Sequence, residues 1–317
     1  ILRAENDFFA DTDRYYTNGV SLTWISPDLS EYMDDERLPE WLSGLGEHAP
    51  MASAPRTVKS IALSLGHSIF TPSDTQAPNP DPDDRPYAGW LYGSIAYQSK
   101  LQRRLDIFEL TLGVVGPSAL GEQVQNDWHN AFGFATAKGW NHQLHDEPGV
   151  ILTWERRWRP EALAAELDPD LLGGLEVDAV PHLGLNLGNV LTSAELGGEV
   201  RLGWNLPADF GTALIGPGGG VTAPVAEDDP RGVGGLGFHV FAGATAKAKA
   251  RDIFLDGNTW EDSPHVAKEW LVGEGTLGAA VVYGPVKLAY THVFRSKEFA
   301  TQHGYHDFGA VSLSVTF

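Results

Sequence analysis

"AVSLSVTF", residues 310–317, alternates apolar and small polar side chains to the last position of the chain. Val311, Leu313, Val315 and Phe317 share one face, which is the pattern of a strand with one apolar side. Bacterial outer-membrane barrels commonly close on such a strand with a terminal aromatic residue. The same period of two recurs upstream. "VKLAYTHVF" aligns Val286, Leu288, Tyr290 and Phe294, and "LGGEVRLGWN" sets Leu196, Val200, Leu202 and Trp204 against Glu199, Arg201 and Asn205. "VDAVPHLGLNLG" and "GVILTWERRW" behave alike, and further runs lie near 18–26, 58–69, 88–98, 105–115, 236–255 and 266–284. The last two are long enough for one long strand or a hairpin each. The count is roughly 10 to 12 strands of about 9–13 residues, the length a tilted strand needs to cross a bilayer.

Composition narrows the class. The 317 residues carry a formal charge of −20, yet 42 % are hydrophobic, so the chain is no acidic tail. That charge argues against nucleic-acid binding, which needs clustered Lys and Arg. The absence of cysteine removes disulfides, thiolate metal sites and cysteine nucleophiles. No apolar run approaches the roughly 18 residues of a spanning helix, which leaves barrels untouched. No targeting segment is visible at Ile1, and a signal peptide is expected to have been removed. Trp24, Trp90, Tyr92, Tyr97, Trp154, Trp158, Trp204, Trp270, Tyr283 and Tyr290 gather near strand ends, as aromatic residues do at water–lipid boundaries. No linker divides the chain, so residues 1–317 are expected to form one domain.

Three stretches interrupt the alternation. Residues 27–57 are polar and proline-containing, with helical possibilities in "EYMDDERLPEWLSGL", and residues 71–86 form a Pro/Asp loop. Residues 117–148 hold the best helix candidate, "SALGEQVQNDWHNAF". In it Gln125 and His129 lie one turn apart on one face, with Val124 and Trp128 on the adjacent face. Such a helix could dock on a barrel wall and present the Gln–His pair at its edge. It could equally be a solvated surface helix. The Gly/Pro-rich stretch 206–235 reads as a loop.

The N-terminal stretch "ENDFFADTDRYYTNG" collects Asn6, Asp7, Asp11, Asp13, Thr17 and Asn18, hard oxygen groups that suit calcium. The spacing is not that of an EF-hand, and a polar strand end with Asx turns reads the same way. There is no G-x-S-x-G elbow, no H-E-x-x-H and no phosphate-binding glycine loop. Ser21, Ser68 and Ser94 lie in strand-like runs without a recognisable partner. The paired histidines of "HQLH" (His142, His145) and "HGYH" (His303, His306) are expected to be solvated.

In order along the chain, "NDFFADTDRYYTNGVSLTW", "DRPYAGWLYGS", "VGPSALGEQVQNDWHNAFG", "FLDGNTWEDS" and "RSKEF" with Gln302 resemble the blocks of the lipid A 3′-O-deacylase (LpxR-type) family of Gram-negative outer membranes. The resemblance implies an all-β, 12-stranded antiparallel transmembrane barrel with a short helix in a loop near 118–132. It implies calcium-dependent hydrolysis of the ester that holds the 3′-acyloxyacyl group of lipid A, with lipopolysaccharide and outer-membrane lipid as partners and a monomeric enzyme. By the same resemblance Asn6, Asp7, Thr17, Gln125 and His129 fall on active-site positions. His129 would be the base that activates water, and Gln125 would hold the imidazole or the water. Asp7, with Asn6, would bind calcium, and Thr17 would serve the oxyanion or position the lipid. One departure stands out. The family's site includes a lysine in the loop after "SIFTPSD", but no lysine occurs between Lys59 and Arg85, and Thr75, Gln76 and Ala77 occupy the nearby positions. Arg85 is therefore the candidate substrate-binding cation, against a structural ion pair with Asp83 or Asp84. A passive barrel, a serine phospholipase of the outer membrane and a soluble β-sandwich remain the alternatives.

Overall fold

The computed structural model describes residues 1–10, 14–32, 39–48, 57–101, 103–167, 174–212, 214–215 and 235–316. Phe317, Asp11, Asp13, the 33–38 part of the first helical candidate and 216–234 of the Gly/Pro stretch lie outside them. In chain order the strands are β1 (Leu2–Asn6), β2 (Tyr15–Ile25), β3 (Val58–Thr71), β4 (Ala88–Leu101), β5 (Arg104–Val115), β6 (Glu147–Trp158), β7 (Ala165–Glu166), β8 (Glu176–Gly188), β9 (Leu191–Trp204), β10 (Leu236–Asp252), β11 (Leu271–Tyr283), β12 (Val286–Arg295) and β13 (His306–Val315). Each barrel strand pairs antiparallel with its sequence neighbour. β1 pairs with β13, and β6 pairs with β8 past the two-residue β7, which attaches beside the wall. The result is a closed barrel of 12 antiparallel strands with no open edge. The runs 236–255 and 266–284 each form one strand rather than a hairpin.

The alternation has an inverted meaning compared with a soluble protein. On β10 Leu236, Phe238 and Val240 point outward and are exposed, while His239, Phe241 and Lys247 point inward. Leu22, Leu65, Leu152, Leu187, Leu196 and Leu277 are exposed around the same outer belt. Trp204, Phe238 and Tyr283 mark the rim that carries the chain termini, and Trp260, Trp270 and Tyr305 mark the opposite rim. An apolar outside flanked by aromatic residues is what lipid contact selects. Trp90 and Tyr92 are exceptions to the boundary expectation. They point into the lumen, where they stack at 5.6 Å.

The described residues occupy much of the lumen. Tyr16, Phe70, Trp90, Phe254 and Phe308 form an aromatic layer toward the rim opposite the termini. Below it run charged pairs: Arg295 and Lys247 on Glu274, and Arg201 on Asp178 and Asp209. Charges drawn from water persist only when paired this closely. A cavity of about 170 Å³ remains among them. Ser21, Ser68 and Ser94 lie buried on the lumen face, away from the lipid side.

Among the described residues two helices lie on the outside of the wall, the first against β4 and the second against β3 and β4. The α1 helix (Glu40–Glu47) sits at the termini rim beside Tyr32 and Tyr97. The α2 helix (Gly121–Phe132) sits at the opposite rim. It enters from a 3₁₀ turn at Pro117–Ala119 through Leu120 in the left-handed region (φ 61°), and ends at Gly133 (φ 77°).

Candidate active site

The packing of α2 on the wall begins at two glycines. Gly89 faces outward on β4, and a Cβ there would lie 3.1 Å from the Ala119 Cβ and 3.1 Å from the Gly121 nitrogen. A Cβ on Gly121 would lie 3.1 Å from the Gly89 Cα and 2.7 Å from the Trp140 ring. Only two residues without side chains let backbone meet backbone here. The outward His67 of β3 adds a hydrogen bond, donating from Nε2 to the Ala119 carbonyl at 2.7 Å.

The helix turns the opposite way from the sequence expectation. Gly121, Gln125 and His129 form its buried face, and Val124 and Trp128 are exposed. The Gln–His pair is therefore enclosed between helix, wall and the loop 133–140 rather than displayed at an edge. The physical reason is the solvent: on a lipid-facing wall the apolar side of a helix belongs outside.

Each ring and amide in this enclosure has a fixed orientation. His129 donates from Nδ1 to the Ala135 carbonyl at 2.6 Å, which makes Nε2 the ring's basic nitrogen. Trp140 donates from Nε1 to Gln125 Oε1 at 2.8 Å. An indole N–H can only donate, so it fixes the amide and leaves Gln125 Nε2 as a buried donor with no hydrogen-bond partner among the described residues. Gln125 therefore does not hold the imidazole; the Ala135 carbonyl does. Asn126 holds the returning loop through Ala137, accepting from its N–H at 2.9 Å. Trp140 packs in turn on Tyr87 and Ile69 of the wall.

The oxygen-rich N-terminal residues gather next to this loop. Asn6 ends β1 directly opposite Asn18 on β2, so the two amides share the outer face. A bulge in β2 between Tyr16 and Asn18 breaks the alternation. Tyr16 turns into the lumen against Phe308, while the Thr17 hydroxyl meets that of Thr71 at 2.7 Å. Asp7 starts a 3₁₀ turn and is buried, its Oδ2 accepting from the Arg14 N–H at 2.6 Å; Asn6 Oδ1 accepts from the Phe8 N–H at 2.7 Å. The Phe134 ring lies 5.9 Å from that of Phe8 and 5.9 Å from that of His129. This aromatic bridge joins the Asn6–Asp7 turn to the histidine. The five residues assigned from the sequence thus lie at one rim, with Asn6, Gln125 and His129 on the outer side of the wall.

The donor set is hard: one carboxylate, two amides and a hydroxyl, which suits a cation such as calcium. Among the described residues no three His, Asp or Glu side chains converge, so any cation here would depend on Asp7 as its single carboxylate.

Arg85 is placed elsewhere. It is buried, its Nη1 lies 3.1 Å from Glu298, and its guanidinium stacks 5.0 Å over Phe70. Its ion-pair partner is Glu298 rather than Asp83 or Asp84. Glu298 also receives Lys249 at 2.9 Å and Arg295 at 3.6 Å. Burial alone would raise its pKa, but Lys249, then Arg295 and Arg85, outweigh it and hold the carboxyl well below the usual carboxylate range. The exposed cation beside the lysine-less loop is Lys138, whose N–H donates to the Thr75 carbonyl at 2.9 Å. Sequence spacing missed Lys138 because it lies far along the chain from Thr75. Of the paired histidines, His142, His145 and His303 are exposed, but His306 is fully buried, its ring 5.5 Å from that of Tyr15.

The chain was compared with known proteins. No curated protein matches it by sequence. Among solved structures, LpxR from Salmonella typhimurium superposes with a TM-score of 0.76 at 20 % identity, covering 100 % of this chain and 99 % of that one. A family model described as outer membrane protein LpxR matches residues 1–317. With a closed 12-stranded barrel and an apolar outer belt, the chain belongs to the LpxR family and is an outer-membrane β-barrel protein.

Proposed function

We propose that the protein is an outer-membrane lipid A 3′-O-deacylase, a carboxylic ester hydrolase that acts on the lipid at the outside of its own wall. One observation carries this reading: Gln125 and His129 on the helix, and Asn6 and Asn18 on the strands, lie on the outer side of the wall rather than in the lumen, with His129 fixed through Nδ1 to Ala135. A pore would place its polar groups along an open lumen, whereas here, among the described residues, an aromatic layer and closely paired charges occupy it and leave a cavity of about 170 Å³. The rim that carries α2 is then the one in the outer leaflet, where lipid A resides.

The reaction follows from the groups present. His129 Nε2 takes a proton from a water molecule, and the water oxygen attacks the ester carbonyl. The carbonyl electrons move to oxygen, and that oxyanion accepts hydrogen bonds from the Gln125 Nε2 donor and, where Thr71 donates to Thr17, from the Thr17 hydroxyl. Collapse expels the 3′ alkoxide of the sugar, which takes the proton from His129. The products are a free acyloxyacyl acid and a 3′-hydroxyl. Calcium held by Asp7 with Asn6 would polarise the ester carbonyl. Exposed Lys138, rather than buried Arg85, would be the cation that meets a lipid phosphate.

The test is mass spectrometry of lipid A incubated with the detergent-solubilised protein, with calcium and with a chelator. Calcium-dependent loss of the 3′-acyloxyacyl mass is expected. An unchanged spectrum on a substrate bearing that group would remove the deacylase reading.

A further inference from the structure

The outer face of α2 carries a continuous apolar stripe. Leu120, Val124, Trp128 and Phe132 follow one another at four-residue spacing and are 50 %, 44 %, 51 % and 60 % exposed. In water such a patch would be costly. The Trp128 and Phe132 rings pack at 4.4 Å, and Phe134 and Phe8 extend the apolar surface past His129 toward Asp7. The stripe continues the lipid-facing belt of the wall, where Leu65 of β3 and Leu112 of β5 are also exposed. Resting on the deacylase reading, we propose that this stripe receives the hydrocarbon chain of the lipid being cleaved and sets the preference for chain length.

The occupant follows from connectivity. The attacked carbonyl must sit beside His129, and the chain is bonded to that carbonyl. Its first methylenes therefore leave the site next to Phe134, whose ring lies 5.9 Å from that of the histidine, and the stripe of Phe132 and Trp128 lies on the lipid side of the same helix. The polar sugar side has Asn6, Asn18 and Lys138 available instead. Bulk lipid can cover the stripe when no substrate is bound, but it has no such tether.

The test has two arms. In the first, Trp128→Ala/Phe132→Ala is assayed on lipid A and on an analogue with a short acyl ester at the 3′ position. Both side chains are half or more exposed, so folding should survive. Loss of apolar contact should raise KM on the long-chain substrate about tenfold with little change in kcat, and leave the short-chain analogue nearly unaffected. In the second arm, Trp128 emission is isolated by difference against Trp128→Phe. The probe is a non-hydrolysable lipid A analogue with a brominated 3′ chain, compared with brominated phosphatidylethanolamine at equal bromine density. Stronger quenching by the lipid A probe, reversed by its unlabelled form, is expected. Equal quenching by both lipids, with no reversal, would show that the stripe faces bulk lipid only and overturn the proposal. Quenching by neither would show that something other than lipid covers it and overturn it as well. This arm needs no turnover, so loss of the deacylase reading would be seen separately in the hydrolysis assay.

Discussion

Replacing Gly89 by valine should disable the site while sparing the barrel. The β4 wall has no objection to valine, which suits an outward strand position. The obstacle is α2. A Cβ at Gly89 would already stand 3.1 Å from Ala119 and from the Gly121 nitrogen. Ordinary carbon contacts lie at about 3.5–4.0 Å, so even alanine is short by roughly half an ångström, and valine adds two methyls to the same gap. The helix must then rise from the wall by on the order of 1 Å, and a displacement of that size at a catalytic group costs about 10²-fold in rate. The overpacking itself costs about 1–3 kcal/mol, too little to unfold a closed barrel. The control is Gly93→Val on the same strand, where the nearest atom to an added Cβ is Ser64 O at 3.7 Å. Turnover of lipid A is measured beside heat-modifiable electrophoretic mobility for both variants. Gly89→Ala should fall between wild type and Gly89→Val, and Gly93→Val should match wild type. Full activity in folded Gly89→Val would refute the claim that this contact positions His129.

Three further outcomes are expected. His129→Ala should lower kcat by about 10²–10⁴ with mobility unchanged, as loss of a general base does, whereas lost heat-modifiable mobility would point to a structural role. Lys138→Ala should raise KM on diphosphorylated lipid A more than on a monophosphorylated form; an equal effect on both would remove its assignment to phosphate, and Arg85→Lys provides the contrast by weakening the fold instead. Glu298→Gln leaves buried Arg85 without its ion-pair partner and takes one partner each from Lys249 and Arg295, which keep Asp252 and Glu274; it should cost about 3–5 kcal/mol, read as a lowered midpoint of thermal unfolding. Because the folded carboxyl lies well below its unfolded value, its contribution is present above the unfolded value and fades as pH falls through the folded one. The wild-type advantage over Glu298→Gln should therefore shrink in strong acid.

The strands were legible because one physical rule repeats along them. In "AVSLSVTF" and "LGGEVRLGWN" lipid on one side and the lumen on the other enforce strict alternation. The inward Trp90 and Tyr92 show the limit of that reading: alternation says that two faces differ, while an aromatic ring suits both the boundary and a lumen layer. The site was only partly legible. Gln125 and His129 are linked by helical spacing, and Asn6 and Asp7 by adjacency, but the groups that orient them are not. Trp140, Ala135 and Lys138 reach them through a loop whose path no periodicity encodes. His306 was misread because a histidine in a polar stretch carries no mark of the Tyr15 and Phe308 rings that bury it. Thr17 depends on a bulge, which is a property of register rather than of composition.

The reversed face of α2 joins fold and chemistry. A barrel wall in lipid cannot present bare Asn, Asp and His side chains to hydrocarbon, since each unsatisfied polar group there costs several kcal/mol. Placing them in the lumen would satisfy them but hide them from a lipid substrate. A helix laid on the wall with its polar face inward resolves the conflict: it encloses Gln125 and His129 outside the barrel, and the Phe134 and Phe8 rings join that enclosure to the Asn6–Asp7 turn. The helix needs its unusual apolar exterior for the same reason, because that exterior meets lipid. Two requirements of sequence follow, a pair of small residues where the helix touches the wall and polar residues on the helix face that follows them, and "AGW" at 88–90 with "GEQVQNDWH" at 121–129 meets both.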